Sequence, residues 1–236
     1  MRILIAPGSG RPGERVNLDE SEVHHLRVRR ARDHERVEVL DGSGLRGTGL
    51  LIQSGQHWLV EVQSMEMQER LPETTLAVAA GDRERFSWMV EKLVELGVTR
   101  IVPLDTVRSG GVATRLKDAH IGRLRRLILE SLKQCGVAWA PTVEAPVDLE
   151  DFLREPLRGR GWLADSSGAP GPVVLDHTAL TVVIGPEGGL TDEECVAAAS
   201  AGYEPVRLGF HTLRFETAAL AAAAAVAQAR MRGQHA

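Results

Sequence analysis

Two glycine-marked turns hold the residues best suited to chemistry in this chain of 236 residues. The first is Ile184-Gly185-Pro186-Glu187-Gly188-Gly189, and the second is Leu208-Gly209-Phe210-His211-Thr212-Leu213-Arg214. Each follows a short apolar run, residues 181–184 and 205–208, that reads as a strand. Glycine at such a turn lets backbone N–H and C=O groups come close to a ligand, because no Cβ intervenes. The carboxyl ends of strands are also where open α/β sheets bind small molecules. The first turn carries Glu187 and no lysine, which argues against a phosphate cradle and for an uncharged or cationic ligand. Two ordinary strand-to-helix turns would show the same pattern, so the residues alone leave both readings open. Arg214 and Glu216 follow, a guanidinium suited to an oxyanion and a carboxylate able to take a proton or to cap a helix. A plain salt bridge from Arg214 to Glu216 or Glu187 is the competing reading.

The elements that must position these turns can be read from pattern. Thr191 with Glu194 three residues on is a capping box, opening a helix that stops at Gly202. An alanine-rich helix spans 218–230, with 221–225 uninterrupted; such small side chains allow close packing against a neighbour in the same chain or in a partner subunit. Upstream, residues 76–80, 98–104 and 161–164 read as buried strands. Residues 83–96 and 120–135 read as amphipathic helices, the first stopped by Gly97. Strands alternating with helices predict a mostly parallel α/β sheet. Residues 1–64 are different. Short strands at 2–6, 15–18, 35–40, 47–53 and 57–63, broken by one helix over 22–30 capped by Ser21, suggest a small barrel. Residues 63–75, aperiodic and containing Pro72, read as a linker.

Other motifs weigh less. Gly8-Ser9-Gly10-Arg11-Pro12-Gly13 matches a dinucleotide-binding pattern, but Pro12 lies inside it and no helix follows. His24-His25 is a poor metal pair, because neighbours on a helix face different ways, and no metal site is expected. Cys135 and Cys195 lack metal or CxxC spacing and read as reduced structural thiols. The formal net charge of −4 does not suggest nucleic acid. Locally, though, Arg108, Arg115, Lys117, Arg123, Arg125, Arg126 and Lys133 face only Asp105, Asp118 and Glu130, which is either a solvated helix face or a site for an anionic partner. No run approaches a membrane span and no signal segment is evident, so a cytoplasmic location is expected.

Taken together, Ile184-Gly185-Pro186-Glu187-Gly188-Gly189-Leu190-Thr191 with Glu194, then Leu208-Gly209, Thr212-Leu213-Arg214 and Glu216-Thr217-Ala218, resemble the C-terminal signature of the RsmE family. These are SPOUT-class methyltransferases that act on N3 of a uridine in small-subunit ribosomal RNA. The resemblance extends to Glu91-Lys92-Leu93-Val94-Glu95-Leu96-Gly97-Val98, to Ile101, Pro103 and Arg108-Ser109, to Glu130 with Gln134, and to His25, Asp41-Gly42 and Gly44. It implies a PUA-like RNA-binding β-barrel over 1–68 and a SPOUT α/β domain with a C-terminal trefoil knot over 74–236. It implies S-adenosylmethionine as cofactor, held mainly by backbone at Ile184, Gly185, Gly188, Gly189, Leu208, Gly209, Thr212 and Leu213. A homodimer through the knot domain, and ribosomal RNA in the assembled or nearly assembled subunit, are the implied partners; no membrane is. The chain departs from the family at Ala80, where a lysine is usual, and at Gly136-Val137 after Cys135, where basic residues are usual.

In this reading Arg214 orients and neutralises the uracil, and Glu216 is the second catalytic candidate. Arg108, Arg123 and Arg126 position phosphates, and Arg27, Arg29 and Arg30 grip RNA from the barrel. Rival readings are a SPOUT enzyme for a ribose 2′-hydroxyl or a tRNA base, and a catalytically silent RNA-binding assembly factor.

Overall fold

Period-two burial and turn chemistry build the N-terminal sheet. The computed structural model describes residues 1–79, 81–109 and 118–234, with backbone alone at 118 and 119; Ala80, Arg115 and Lys117 lie outside the described residues. Strands β1 (Arg2–Leu4), β2 (Arg15–Asn17), β3 (Arg36–Leu40), β4 (Leu45–Ser54) and β5 (His57–Met67) form one sheet in the order β1-β3-β4-β5-β2. Only the β1–β3 pair is parallel. Gly55 in the left-handed region makes the β4–β5 hairpin turn. Ile3, Val39, Leu51, Trp58 and Val60 are buried together with Leu26 from helix α1 (Glu20–Val28). Gly8, Gly10 and Gly13 all take positive φ in the turn between β1 and β2, where no helix opens.

Among the boundaries that differ from the sequence expectation, two have a clear local cause. Helix α1 is capped by Asp19, whose carboxylate accepts from Glu22 N at 2.8 Å, and not by Ser21. Leu18 N is still engaged with Trp58 O, so the chain turns immediately afterwards and Asp19 is the first side chain placed to cap. The expected linker is shorter than 63–75. Strand β5 runs on to Met67, because residues 64–67 pair with 45–48 beyond a register shift at Thr48/Gly49, and the next strand begins at Thr74.

The remaining elements are β6 (Thr74–Ala79), α2 (Arg83–Glu95), β7 (Arg100–Asp105), α3 (Asp118–Cys135), β8 (Thr142–Val143), β9 (Val147–Asp148), α4 (Leu149–Arg154), β10 (Arg160–Pro170), β11 (Leu180–Ile184), α5 (Asp192–Ser200), β12 (Tyr203–Arg207) and α6 (Phe215–Gly233). Their sheet runs β12-β10-β11-β6-β7-β8, with β9 also on β7, and every pair is parallel. Strands β6 and β11 are buried along their whole length, as expected for a sheet covered on both faces. The alanine face of α6 (Ala218, Ala219, Ala222, Ala223) packs within the chain, on α2, β6 and β11. At its start Phe215 stacks on Phe86 with ring centroids 6.5 Å apart, and a side chain at Gly81 would collide with the Phe215 ring.

By contacts the chain divides into two compact units. One contains Met1–Arg70 and Leu129–Ala140; the other contains Leu71–Ile128 and Pro141–Ala236. In the first, residues 129–140 bring Lys133 to Glu22 at 2.6 Å and the Trp139 indole N–H to Gln68 O at 3.0 Å. Arg2 donates to Lys133 O and Gln134 O at the end of α3, and a Cβ on Gly136 would meet its guanidinium at 2.9 Å. The position after Cys135 thus lies against an arginine supplied from elsewhere in its own unit.

Candidate cofactor site

The cleft that collects the glycine turns lies in the second unit, at the carboxyl ends of β11 and β12 and beside the middle of β10, with a volume of about 220 Å³. Ile184, Gly185 and Gly189 line it from the first turn, and Leu208, Gly209, Thr212 and Leu213 from the second. Gly188 does not line it; its carbonyl turns to Arg108.

Local structure explains the glycines. A Cβ on Gly185 would come within 3.1–3.3 Å of the Leu190 side chain and backbone, so a side chain there would require Leu190 to give by a few tenths of an ångström. Gly189 sits at φ +69° and donates its N–H to Pro186 O at 2.8 Å. The capping box is formed as the spacing predicts: Glu194 N donates to Thr191 Oγ1 at 3.2 Å and Thr191 N to Glu194 Oε2 at 2.7 Å.

A third wall comes from β10. Ala164 and Ala169 both lie in register with Val206, so residues 165–168 are looped out between them. Gly168 makes this possible, since a side chain there would strike the Pro205 carbonyl. The bulge places Asp165 and Ser166 on the cleft. Asp165 accepts from Ser167 N at 2.7 Å, and the Ser167 side chain and backbone hold its carboxyl below the usual range. Cys195 of α5 also lines the cleft, its thiol pushed up by burial and then by the charges of Asp165, Asp192 and Glu194. The ionisable side chains on the cleft are the carboxylates of Asp165 and Glu187, opposed by Arg207, with His211 and Cys195 beside them. Such a lining suits a ligand that carries positive charge.

Sequence reasoning did not find the β10 wall. Asp165-Ser166-Ser167-Gly168 is a turn-type cluster directly after the apolar run 161–164, and that signal marks a strand-end loop.

The other expected site residues are dispersed. Arg214 is the N-cap residue of α6; its carbonyl accepts from Ala218 N at 2.8 Å, while its side chain is exposed and forms no ion pair with Glu216 or Glu187 among the described residues. Glu216 is buried in the first turn of α6, with Oε1 3.8 Å from Arg85 and Oε2 without a hydrogen-bond partner among the described residues. Neither residue lines the cleft. Arg123 and Arg126 are exposed on α3. In the first unit Arg27, Arg29 and Arg30 are exposed, and Arg27 and Arg30 border a separate hollow of about 520 Å³ with Gln53, Gln56 and Trp58. Arg108 is committed differently: its Nη1 donates to Gly188 O at 2.8 Å and Leu190 O at 3.0 Å.

Comparison with known proteins identifies the family and the fold. The family of RNA methyltransferase domains matches residues 68–227, and that of RNA methyltransferase PUA domains matches residues 18–62. The ribosomal RNA small subunit methyltransferase E of Synechocystis is 32% identical over 232 residues, covering 89% of this chain and 72% of the relative. A crystal structure of that enzyme from Neisseria gonorrhoeae, bound to S-adenosylmethionine, superposes with a TM-score of 0.84 at 28% identity, over 95% of both chains. A Legionella pneumophila methyltransferase with bound S-adenosylmethionine gives a TM-score of 0.85 at 29% identity, over 97% of this chain and 96% of the other. A PUA-like unit followed by a SPOUT-type α/β unit is therefore the architecture here, and the chain belongs to the ribosomal RNA small subunit methyltransferase E family of RNA methyltransferases.

Proposed function

We propose that this chain methylates N3 of a uridine in small-subunit ribosomal RNA, using S-adenosylmethionine bound in the cleft between the two glycine turns. The observation that carries the reading is the cleft itself, with closely packed glycine backbone on two sides and the carboxylates of Asp165 and Glu187 on its lining. S-adenosylmethionine, when bound, supplies an electrophilic methyl group on a positively charged sulfur. The glycine turns bring backbone donors and acceptors to it, and the acidic lining favours a cation over a polyphosphate.

The uridine N3 must lose its proton before it can attack, and the negative charge then developing on the uracil needs a donor. Arg214, exposed and without an ion pair among the described residues at the end of the second turn, is placed to supply one. Glu216 faces Arg85 at 3.8 Å, which favours anchoring α6 to α2 over proton transfer. Arg27, Arg29 and Arg30 on the PUA-like unit and Arg123 and Arg126 on α3, all exposed, serve as phosphate contacts to RNA in the assembled or nearly assembled subunit. The unit boundaries at 1–68 and 74–236, the trefoil knot through the two turns, a homodimer through the knot domain and a cytoplasmic location belong to the same reading. No helix among the described residues is long and apolar enough to cross a membrane.

Two measurements test it. Calorimetry with S-adenosylmethionine must show one site per chain; absence of binding leaves the silent assembly factor. Mass spectrometry of ribosomal RNA nucleosides from a deletion strain must show loss of 3-methyluridine, restored by the intact gene. Loss of a 2′-O-methyl nucleoside or a modified tRNA base instead would replace the uridine assignment.

A further inference from the structure

The loop after β7 reaches across the chain to the first glycine turn through three hydrogen bonds. Arg108 Nη1 donates to the carbonyls of Gly188 and Leu190, and Val107 N donates to Glu194 Oε1 at 2.9 Å. The base of this loop is itself fixed. Ser109 Oγ lies 2.8 Å from both Asp105 Oδ1 and Thr106 O, either of which can take its one proton, and accepts from Thr106 N at 2.9 Å. Arg108 therefore projects from a closed turn.

What it holds matters because a trans peptide points the carbonyl of one residue and the N–H of the next in opposite directions. The Gly188–Gly189 peptide has its carbonyl on Arg108 and its N–H on Pro186 O. The Leu190–Thr191 peptide has its carbonyl on Arg108 and its N–H on Glu194 Oε2 at 2.7 Å. Both planes are held at both ends, and Arg108 supplies one end of each. Without it the rotation of a glycine-rich segment that includes cleft-lining Gly189 and Leu190 has nothing to oppose it from the carbonyl side. Its stem adds shape: Arg108 Cβ and Cδ lie 3.6 Å from the place a Gly188 Cβ would occupy.

We propose that Arg108 is a positioning residue for the methyl-donor cleft, fixing the two peptide planes of the 188–191 turn, and that its contribution is to S-adenosylmethionine affinity more than to RNA affinity. This rests on the reading that the cleft binds S-adenosylmethionine. The guanidinium is suited to the task by its reach, which brings Nη1 to both carbonyls; a lysine ammonium could also donate to two acceptors but ends about one bond short of that position. A phosphate contact would tolerate lysine, and the bridge would not.

The test compares wild type, Arg108→Met, which keeps the stem, and Arg108→Lys, which keeps the charge. Calorimetry with S-adenosylmethionine, filter binding to small ribosomal subunits at fixed salt, and steady-state methylation are measured on the full chain. Hydrogen bonds to a charged donor are strong enough that losing both should weaken the donor affinity by roughly tenfold or more. The expected result is that fall in Arg108→Met and a clear part of it in Arg108→Lys. KM for S-adenosylmethionine rises in step, kcat at saturating donor stays near wild type, and subunit affinity is unchanged. Unchanged donor affinity in Arg108→Met, or full affinity in Arg108→Lys, overturns the inference. Weakened subunit binding with intact donor binding makes Arg108 a phosphate contact instead. A wild-type protein that binds no S-adenosylmethionine overturns the cofactor reading itself, a result distinct from any difference among variants. If Arg108→Met does not fold, the Arg108→Lys comparison alone decides.

Discussion

Single side chains in this protein acquire roles from distant backbone as much as from their own chemistry. Arg214 has neither an ion pair among the described residues nor a side-chain cap bond, although two carboxylates lie near it in sequence. A guanidinium left exposed at the end of a cleft-lining turn is available to a substrate, whereas Glu216, buried against Arg85, is not. Arg214→Ala is therefore expected to lower kcat at saturating S-adenosylmethionine by about 10²-fold or more, the size of effect seen when one donor to a developing oxyanion is removed. Donor affinity should stay within twofold. Single-turnover methylation with calorimetry separates the two quantities, and full turnover in the variant would remove Arg214 from the reaction. The glycines that line the cleft were legible in the sequence as strand-end turns, although an ordinary turn and a ligand-binding one look alike at that level. The role of Arg108 was not: its partners are 80 and 82 residues away, and an arginine in a basic stretch reads equally well as a phosphate contact.

At the scale of elements, helices and parallel strands followed pattern closely, and surprises came where a side chain or bulge overrode it. The Thr191 capping box and the Gly97 stop formed as read, because each needs only local geometry. The β10 bulge depends on register against β12, which no local spacing specifies. The ion pair between α1 and the end of α3 was equally hidden. Lys133 and Glu22 are 2.6 Å apart with side-chain exposures of 7% and 4%, and Lys133 also meets the half-exposed Glu130 at 2.8 Å. Removing one member of a buried pair costs about 3–5 kcal/mol because a charge is left without its partner. The two ends should differ. Glu22→Leu leaves Lys133 with Glu130 and should cost less, whereas Lys133→Met strands Glu22 and should cost about 3 kcal/mol at neutral pH. Burial already holds the Glu22 carboxyl above its ordinary range. A raised folded-state value means the folded state takes up the proton first, so the Lys133→Met deficit should grow as pH rises through that value and shrink toward acid. Urea denaturation of both single variants and the double variant across this pH range checks the claim. Equal losses in the two singles, or a double variant no better than Lys133→Met, would contradict it.

For the whole molecule, the division into units does not follow the order of the chain. Composition marks the crossing near residue 70, where an aperiodic, proline-containing stretch lies, but nothing in composition marks those at 128/129 and 140/141. Helix α3 keeps its amphipathic pattern without a break through the first of them: Ile121, Leu124, Ile128 and Leu132 are all buried, the last in the N-terminal unit. The 129–140 segment contributes much to that unit. It gives Glu22 its ammonium partner, it hydrogen-bonds Gly44 N through Ala138 O and Gly42 O through Ala140 N, and it sets Trp139 against Gln68 and Arg70. A chain ending at residue 70 would expose these groups and leave a buried carboxylate unpaired, in a sheet already small enough to be marginal. The fragment 1–70 is therefore expected to show no cooperative thermal transition, with Trp58 fluorescence close to that of a solvated indole. The same fragment joined through a flexible linker to residues 129–140, with Trp139→Phe so that Trp58 alone is read, should regain both a transition and a blue-shifted Trp58, which is 5% exposed in the intact protein. A cooperative transition in the bare fragment would show that the segment decorates this unit and does not complete it.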